Sequence, residues 1–185
     1  MFGKRVLATA AAVAILAGVI AVSSCSREES KTGGKPAMTQ EERGEYLAWV
    51  TGCHDCHTPG GLYGTPDMTR KLAGSELGWE GPWGVSYPRN LTPDAGTGIG
   101  PWSEADIVTA IRTGKRPDGT AIMPPMPLPD FAHLSDEDAY AIAAYLKSIP
   151  AINHRSPDRV PPGGRPSGSV LSMPAPPSWD RSGTP

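Results

Sequence analysis

The chain has 185 residues, 19% of them charged, and a formal net charge of −2. Binding to nucleic acid favours a basic face, so this slightly acidic balance argues against a nucleic-acid partner. The length allows one small compact domain, which we expect over residues 38–150, with only a modest share of its surface buried.

The first 24 residues have the composition of an export signal. Lys4 and Arg5 precede an uncharged stretch from Val6 to Ser24 that is rich in Ala, Val, Leu and Ile. A short basic region followed by an apolar one is typical of secretory signals. We therefore predict a signal peptide over residues 1–24 and place the rest of the chain on the periplasmic side of a bacterial membrane.

Cys25 ends the sequence Val22-Ser23-Ser24-Cys25. This sequence resembles a bacterial lipobox, in which the cysteine is lipidated and becomes the mature N-terminus, although it departs from the usual residues at two positions. We predict lipidation of Cys25 and a membrane-anchored lipoprotein, with residues 25–37 as a flexible polar tether. Cleavage by signal peptidase I, or an uncleaved anchor of about 20 apolar residues, are the alternatives.

A helix is predicted directly before the most informative motif of the chain. Thr39 and Glu42 have the spacing of a capping box, which marks a helix start. The helix runs towards Gly52, and its apolar residues include Leu47 and Trp49.

The motif itself is Cys53-His54-Asp55-Cys56-His57. C-x-x-C-H is the attachment signature of c-type haem. Two thiols with this spacing add across the two vinyl groups of one porphyrin, and the histidine that follows lies against the iron. We predict that Cys53 and Cys56 attach the haem, that His57 is an axial iron ligand, and that His54 is a solvent-facing spacer. The chain has one such motif and so one predicted haem c.

Zinc binding and thioredoxin-like redox chemistry are the other uses of C-x-x-C, and both belong mainly to cytosolic proteins. An exported chain favours haem instead. No cysteine follows Cys56, and His133 and His154 lack the paired spacing of a zinc finger.

The second axial ligand is expected in the proline-rich segment 121–129, which contains Met123 and Met126. Its prolines exclude helix and stiffen an extended loop. A thioether held on such a loop loses less entropy when it binds iron. We predict Met126 as the ligand and Met123 as the alternative. Weaker candidates are His133, His154 and Met173.

Two more helices are predicted after a long stretch rich in glycine and proline over residues 58–101, where a short helix near 66–72 is possible. Ser103 with Asp106 starts one helix, which stops at Gly114. Ser135 starts the other, which ends before Pro150. The composition of residues 151–185, rich in Pro, Gly and Ser, predicts a tail without regular structure, of which the first few residues can pack on the domain.

With these residues in place, the domain resembles the class I cytochrome c family, in particular the bacterial branch that includes cytochrome subunits of periplasmic dehydrogenases. The resemblance covers about residues 40–155. It rests on the segments 44–47, 53–59, 90–94, 97–103, 125–127 and 134–146.

The resemblance implies an all-α fold with about three main helices and long loops wrapped around one covalent haem. It implies that the first and last helices cross near Gly44 and Tyr145, and that Met126 is the axial methionine. Many members of this branch carry two or three haem motifs, whereas this chain has one.

The predicted function is electron transfer by a membrane-anchored mono-haem cytochrome. We expect an electron carrier, not an enzyme, that moves single electrons between a dehydrogenase and a respiratory acceptor, which can be an oxidase or another cytochrome. The alternatives are a tightly bound cytochrome subunit of a periplasmic dehydrogenase, and a peroxidase-like or ligand-sensing haem protein held by His57 alone.

Two sets of supporting contacts are also expected. A backbone carbonyl near Pro59, Gly60 or Gly61 should hold the second ring nitrogen of His57. The haem propionates should receive hydrogen bonds from side chains among Tyr87, Arg89, Asn90 and Trp102.

Overall fold

The computed structural model describes residues 37–174. The predicted signal peptide, Cys25, nearly all of the predicted tether and residues 175–185 lie outside this range. The helices are α1 (Gln40–Val50), α2 (Cys53–His57), α3 (Glu104–Thr113), α4 (Leu128–Phe131) and α5 (Asp136–Ser148), and the strands are β1 (Gly78–Gly81), β2 (Gly84–Ser86) and β3 (Val170–Ser172). Within residues 37–174, no helix is long and apolar enough to cross a membrane.

Local sequence signals set the helix ends. Thr39 Oγ1 accepts from the Glu42 N–H, and the Glu42 carboxylate accepts from the Thr39 N–H, so the predicted capping box forms. Ser103 and Asp106 form the same arrangement at the start of α3. Gly114 ends α3 with φ at +70°, a conformation that side chains disfavour. The three main helices are therefore confirmed.

The predicted crossing of the first and last helices is also confirmed, because α1 packs on α5 at Gly44. A Cβ atom added there would overlap the Ala141 carbonyl and the Cβ of Tyr145. Only glycine allows the two backbones to approach this closely. The crossing lies in the main apolar core, which α1, α3 and α5 build together with Leu72 and Ile99.

The prediction of an all-α fold is incomplete, because the structure contains a small three-stranded sheet with the order β2–β1–β3. β1 and β2 form an antiparallel hairpin in which Trp79 lies opposite Ser86, and β3 pairs with β1 in parallel. The strands have three or four residues each, too short to show the alternation that predicts a strand. The short helix expected near 66–72 is a single 3-10 turn, Met68–Arg70.

The tail prediction is correct for most of residues 151–169, which have no regular structure apart from a bridge at Val160, and it is wrong at β3. Ser156 is buried and donates to the Pro88 carbonyl over 2.6 Å. Val160 bridges to Val85, and β3 adds the third strand. These partners lie about 70 to 90 residues earlier in the chain, so composition alone gave no sign of them.

Candidate haem site

The C-x-x-C-H motif forms its own short helix, α2, immediately after α1. Gly52 connects the two helices with φ at +74°, which turns the chain sharply and places α2 against the end of α1. Cys53 and Cys56 are both half-buried, and neither forms a disulfide. Their burial raises the pKa of both thiols, that of Cys56 to about 11. Both side chains are thus neutral thiols that form no disulfide.

The ring of His57 is oriented by a backbone carbonyl. Its Nδ1 lies 2.7 Å from the carbonyl oxygen of Arg89. A carbonyl oxygen only accepts, so Nδ1 carries the proton and Nε2 keeps its lone pair. Burial lowers the pKa of His57, and the bond to Arg89 offsets this only in part. His57 is thus a neutral imidazole with Nε2 available as a metal ligand.

A backbone carbonyl therefore orients His57, as predicted, but it belongs to Arg89 and not to a residue next to the motif. The predicted carbonyls were those of Pro59, Gly60 and Gly61, next to the motif. Those of Pro59 and Gly60 instead accept backbone N–H groups within their own loop. Arg89 is 32 residues from His57 along the chain, and no local pattern marks a carbonyl at that distance.

His54 was predicted to face solvent, and this is wrong. The side chain is only 2% exposed, and its ring stacks on Trp49 with 3.7 Å between ring centroids. Its Nδ1 lies 3.0 Å from Thr58 Oγ1, which also accepts from the Leu72 N–H. Burial is the main cause that lowers the pKa of His54 to about 4, so the ring is neutral. His54 thus holds α2 in contact with α1 and with the loop that follows.

Met123 and Met126 lie on the loop between α3 and α4, and both side chains are half-buried. The start of this loop is held by a 2.7 Å bond from the Ile122 N–H to the Gly114 carbonyl. Further along, the Ser86 hydroxyl donates to the Pro124 carbonyl. The loop is thus fixed on both sides of Met123, and Met126 comes directly before α4. The assignment of Met126 as the ligand stays a prediction, with Met123 as its alternative.

The three weaker candidates for the second iron ligand are either engaged in hydrogen bonds or exposed to solvent. Both ring nitrogens of His154 are engaged, Nδ1 with the Ala73 carbonyl at 2.7 Å and Nε2 with the Glu76 carboxylate at 2.8 Å. His133 is exposed, and Met173 follows β3 with 38% of its surface exposed. His154 therefore serves to fasten residues 151–174 to the domain.

Four residues were predicted to donate hydrogen bonds to the haem propionates, and the structure is informative for two of them. Asn90 is 3% exposed and uses both its amide nitrogen and its oxygen for contacts within the protein, so it is a structural residue. The Tyr87 hydroxyl, in contrast, is buried and has no hydrogen-bond partner within residues 37–174. A buried hydroxyl without a partner is costly and indicates that a polar group is to be bound there.

Arg116 is a residue that sequence reasoning missed. Burial, and then the positive charge of nearby Arg89, lower the pKa of its guanidinium. Within residues 37–174, the Arg89 guanidinium has a long contact to Asp158, at 3.7 Å, and a bond to the Ser156 carbonyl. Two neighbouring guanidinium groups favour the binding of carboxylates. Arg116 lies in a polar turn, and no sequence pattern connected it with Arg89.

These features together fit a covalent haem. The site offers two unpaired thiols on α2, a neutral His57 with a free Nε2, a half-buried methionine loop and an unpartnered Tyr87 hydroxyl. Within residues 37–174, no three His, Cys, Asp or Glu side chains converge as a metal site of their own. A separate cleft of about 220 Å³ beside Cys56 is bounded by Leu77, Trp79 and Ser169 but by neither His57 nor Met126, so we do not assign the iron to it.

Helices packed around such a motif define a c-type cytochrome. The family model described as "Cytochrome c" matches residues 41–150, more than half of the chain. The chain therefore belongs to the cytochrome c family, which confirms the predicted resemblance. Membership implies a covalently bound haem c and confirms the prediction of an electron carrier.

Several curated proteins are similar over this region. The cytochrome c subunit of the quinone alcohol dehydrogenase of Gluconobacter oxydans (strain 621H) is 39% identical over 121 residues, 63% of this chain and 23% of the relative. The gluconate 2-dehydrogenase cytochrome c subunit of Pantoea cypripedii is 42% identical over 105 residues, 57% of this chain and 22% of the relative. A diheme cytochrome c-type protein of Cereibacter sphaeroides is 28% identical over 148 residues, 80% of this chain and 49% of the relative. The chain thus spans less than half the length of these relatives.

Proposed function

We propose that the protein is a mono-haem c-type cytochrome that is held at the periplasmic side of a bacterial membrane by a lipid on Cys25. It carries single electrons between a dehydrogenase and a respiratory acceptor. The observation that supports this most strongly is the state of His57. Its Nδ1 proton is fixed by the Arg89 carbonyl, and its Nε2 is free beside the two unpaired thiols.

Each residue has a distinct role in this proposal. Cys53 and Cys56 would hold the cofactor covalently through their sulfur atoms. His57 would offer Nε2 to the iron, and the Arg89 carbonyl keeps the imidazole oriented and makes it a better donor. Met126 would supply its thioether sulfur as the second iron ligand. Bound haem c supplies an iron that takes up and gives up one electron, and His/Met ligation raises its reduction potential.

Two features of the protein around the site also support electron transfer. α2 is fixed through His54, which stacks on Trp49 and contacts Thr58. A rigid α2 would keep His57 in one orientation when the iron changes its oxidation state. The apolar core formed by α1, α3 and α5 borders Cys53, and an apolar border disfavours the additional positive charge of the oxidised iron.

Permanent assembly with a dehydrogenase is the second candidate function. The similar proteins include cytochrome subunits of alcohol, gluconate 2- and fructose dehydrogenases. A permanent subunit with a largely apolar interface should stay bound to the dehydrogenase at high salt, whereas a steered transient contact should weaken. Copurification from native membranes at low and high salt separates the two.

The axial ligand is tested by a matched pair of variants, Met126→Ala and Met123→Ala, in the full chain. The oxidised parent protein should show the far-red band of an iron–thioether bond. Met126→Ala should abolish this band and admit cyanide or CO, while Met123→Ala should retain it. The reverse result would assign the ligand to Met123, and a parent protein without the band would contradict His/Met ligation altogether.

A further inference from the structure

Ser86, the last residue of β2, holds the loop that carries both candidate methionine ligands. Its hydroxyl donates to the carbonyl of Pro124, which stands in the chain between Met123 and Met126. Three of the four residues 124–127 are prolines, which have no backbone N–H. The carbonyls are therefore the main polar backbone groups by which the centre of this loop can be held.

The centre of the loop depends on Ser86 more than its ends do. Within residues 37–174, the other hydrogen bonds of the loop, among them those of the Ile122 N–H and the Met126 carbonyl, lie at its two ends. Residues 123–125 in this part of the chain have one hydrogen bond, and Ser86 donates it. A single change at Ser86 therefore releases the centre of the loop and leaves the bonds at its ends in place.

The backbone at Ser86 is fixed on both sides of β2. On one side Ser86 lies opposite Trp79 in the antiparallel pair with β1. On the other side Val85 exchanges two backbone hydrogen bonds with Val160, at 2.8 and 3.0 Å. A Cβ atom added to Gly84 would overlap the Val160 carbonyl, so the two backbones approach closely there. The hydroxyl that holds the methionine loop thus extends from a strand that is paired along both edges.

The same stretch of chain also positions His57. The Arg89 carbonyl lies 2.7 Å from Nδ1 of His57. The buried Ser156 hydroxyl donates to the Pro88 carbonyl over 2.6 Å, and the Arg89 guanidinium donates to the Ser156 carbonyl. The two predicted iron ligands are therefore held from one stretch, residues 86–89.

We propose that Ser86 is a positioning residue for the methionine ligand of the haem iron. This inference rests on the proposed electron-carrier function. Methionine has a flexible side chain with several rotatable bonds, so the backbone that carries it must be fixed if its sulfur is to stay in one place. Pro124 adjoins Met123 and is close in the chain to Met126, so the Ser86 bond serves whichever of the two binds. Without this bond, the loop should open more often and admit ligands from solution.

The test measures how readily imidazole replaces the methionine in the oxidised, haem-loaded full chain. Imidazole can bind only while the loop is open, so its apparent affinity reports the population of the open state. The variant is Ser86→Ala, and Ser86→Thr restores a hydroxyl at the same position. The matched control is Ser172→Ala, which removes a hydroxyl from β3 of the same sheet, where it donates to the Glu80 carboxylate and not to the loop.

Ser86→Ala should bind imidazole about fivefold more tightly than the parent, the factor that corresponds to one hydrogen bond of ordinary net strength. Ser86→Thr and Ser172→Ala should both bind imidazole as the parent does. Before imidazole is added, the parent should show the far-red band of the iron–thioether bond. The visible spectrum measures both the band and the binding.

Parent-like imidazole affinity in Ser86→Ala, or an equal increase in Ser172→Ala, would overturn the role of Ser86 alone. An increase in Ser86→Thr as large as that in Ser86→Ala would also overturn it, because the hydroxyl would then not be the cause. A parent protein without a haem spectrum would instead overturn the proposed function. A parent that carries haem but lacks the far-red band would overturn methionine ligation and, with it, the role of Ser86.

Discussion

Asn90 provides the sharpest test of how the domain is held together around His57. Its side-chain oxygen accepts from the N–H and the hydroxyl of Thr92, at 2.9 and 2.8 Å. Its amide nitrogen donates to the Ile152 carbonyl at 2.7 Å and to Thr97 Oγ1 at 3.0 Å. Asn90 thus joins its own loop to the segment after α5. It also follows Arg89, whose carbonyl orients His57.

The change Asn90→Ala would remove all of these bonds at once. The Thr92 hydroxyl can turn to the Ile152 carbonyl, which lies 3.3 Å away, so that carbonyl keeps a partner. The buried Thr92 N–H has no such replacement. An orphaned buried donor costs about 1–3 kcal/mol and each further lost bond about 1 kcal/mol. We therefore expect Asn90→Ala to lower the free energy of unfolding by about 2–4 kcal/mol.

Guanidinium unfolding of the haem-loaded protein measures this value, with tryptophan fluorescence and haem absorbance as two separate signals. Gln40→Ala is the matched control, because it also truncates an amide side chain but at an exposed position of α1. The control should change the unfolding free energy by less than about 0.5 kcal/mol. A loss of that small size in Asn90→Ala itself would refute the role we assign to Asn90.

Three further predictions follow from other parts of the molecule. Gly44→Val should lower the free energy of unfolding by about 3 kcal/mol or more, because the added atoms would overlap α5. Chemical denaturation measures this loss, and an unchanged midpoint would contradict the observed helix crossing. Hydrogen bonds from the side chain and then the backbone of Thr97 lower the pKa of the Asp94 carboxyl. The ionised carboxylate therefore stabilises the fold above the pKa of an unfolded Asp, about 3.9, and this stabilisation is lost as the pH falls through the lower pKa of the folded protein. Stability measured below pH 4 should therefore decline less steeply in Asp94→Asn than in the parent, and identical slopes would argue against this contribution. Cys25→Ser should remove the mass of the attached lipid from the mature chain in intact-mass spectrometry, and a parent chain that lacks this mass would contradict lipidation.

The sequence was most informative where the relevant interactions are local. The capping residues of α1, α3 and α5 predicted where each helix begins, because a cap joins a side chain to a backbone N–H only three residues away. The C-x-x-C-H motif likewise predicted the family, because both thiols and the histidine must lie on one short segment to hold one porphyrin.

Contacts between distant parts of the chain were not predictable in this way. The bond from His57 to the Arg89 carbonyl uses a backbone group, and every residue has one, so composition cannot mark it. The burial of His54 depends on Trp49 and Thr58 converging on one ring. The pairing of β3 with β1 joins segments some 90 residues apart, and the Pro-rich composition near β3 favoured the opposite prediction.

The bound cofactor can be tested most directly by the mass of the denatured polypeptide. After acid–acetone extraction, the chain purified from its own membranes should remain coloured and should carry the mass of one haem. Cys53→Ala combined with Cys56→Ala should give a colourless chain without that mass. A parent polypeptide that is colourless after extraction, with the mass of the protein alone, would contradict covalent attachment at these two cysteines.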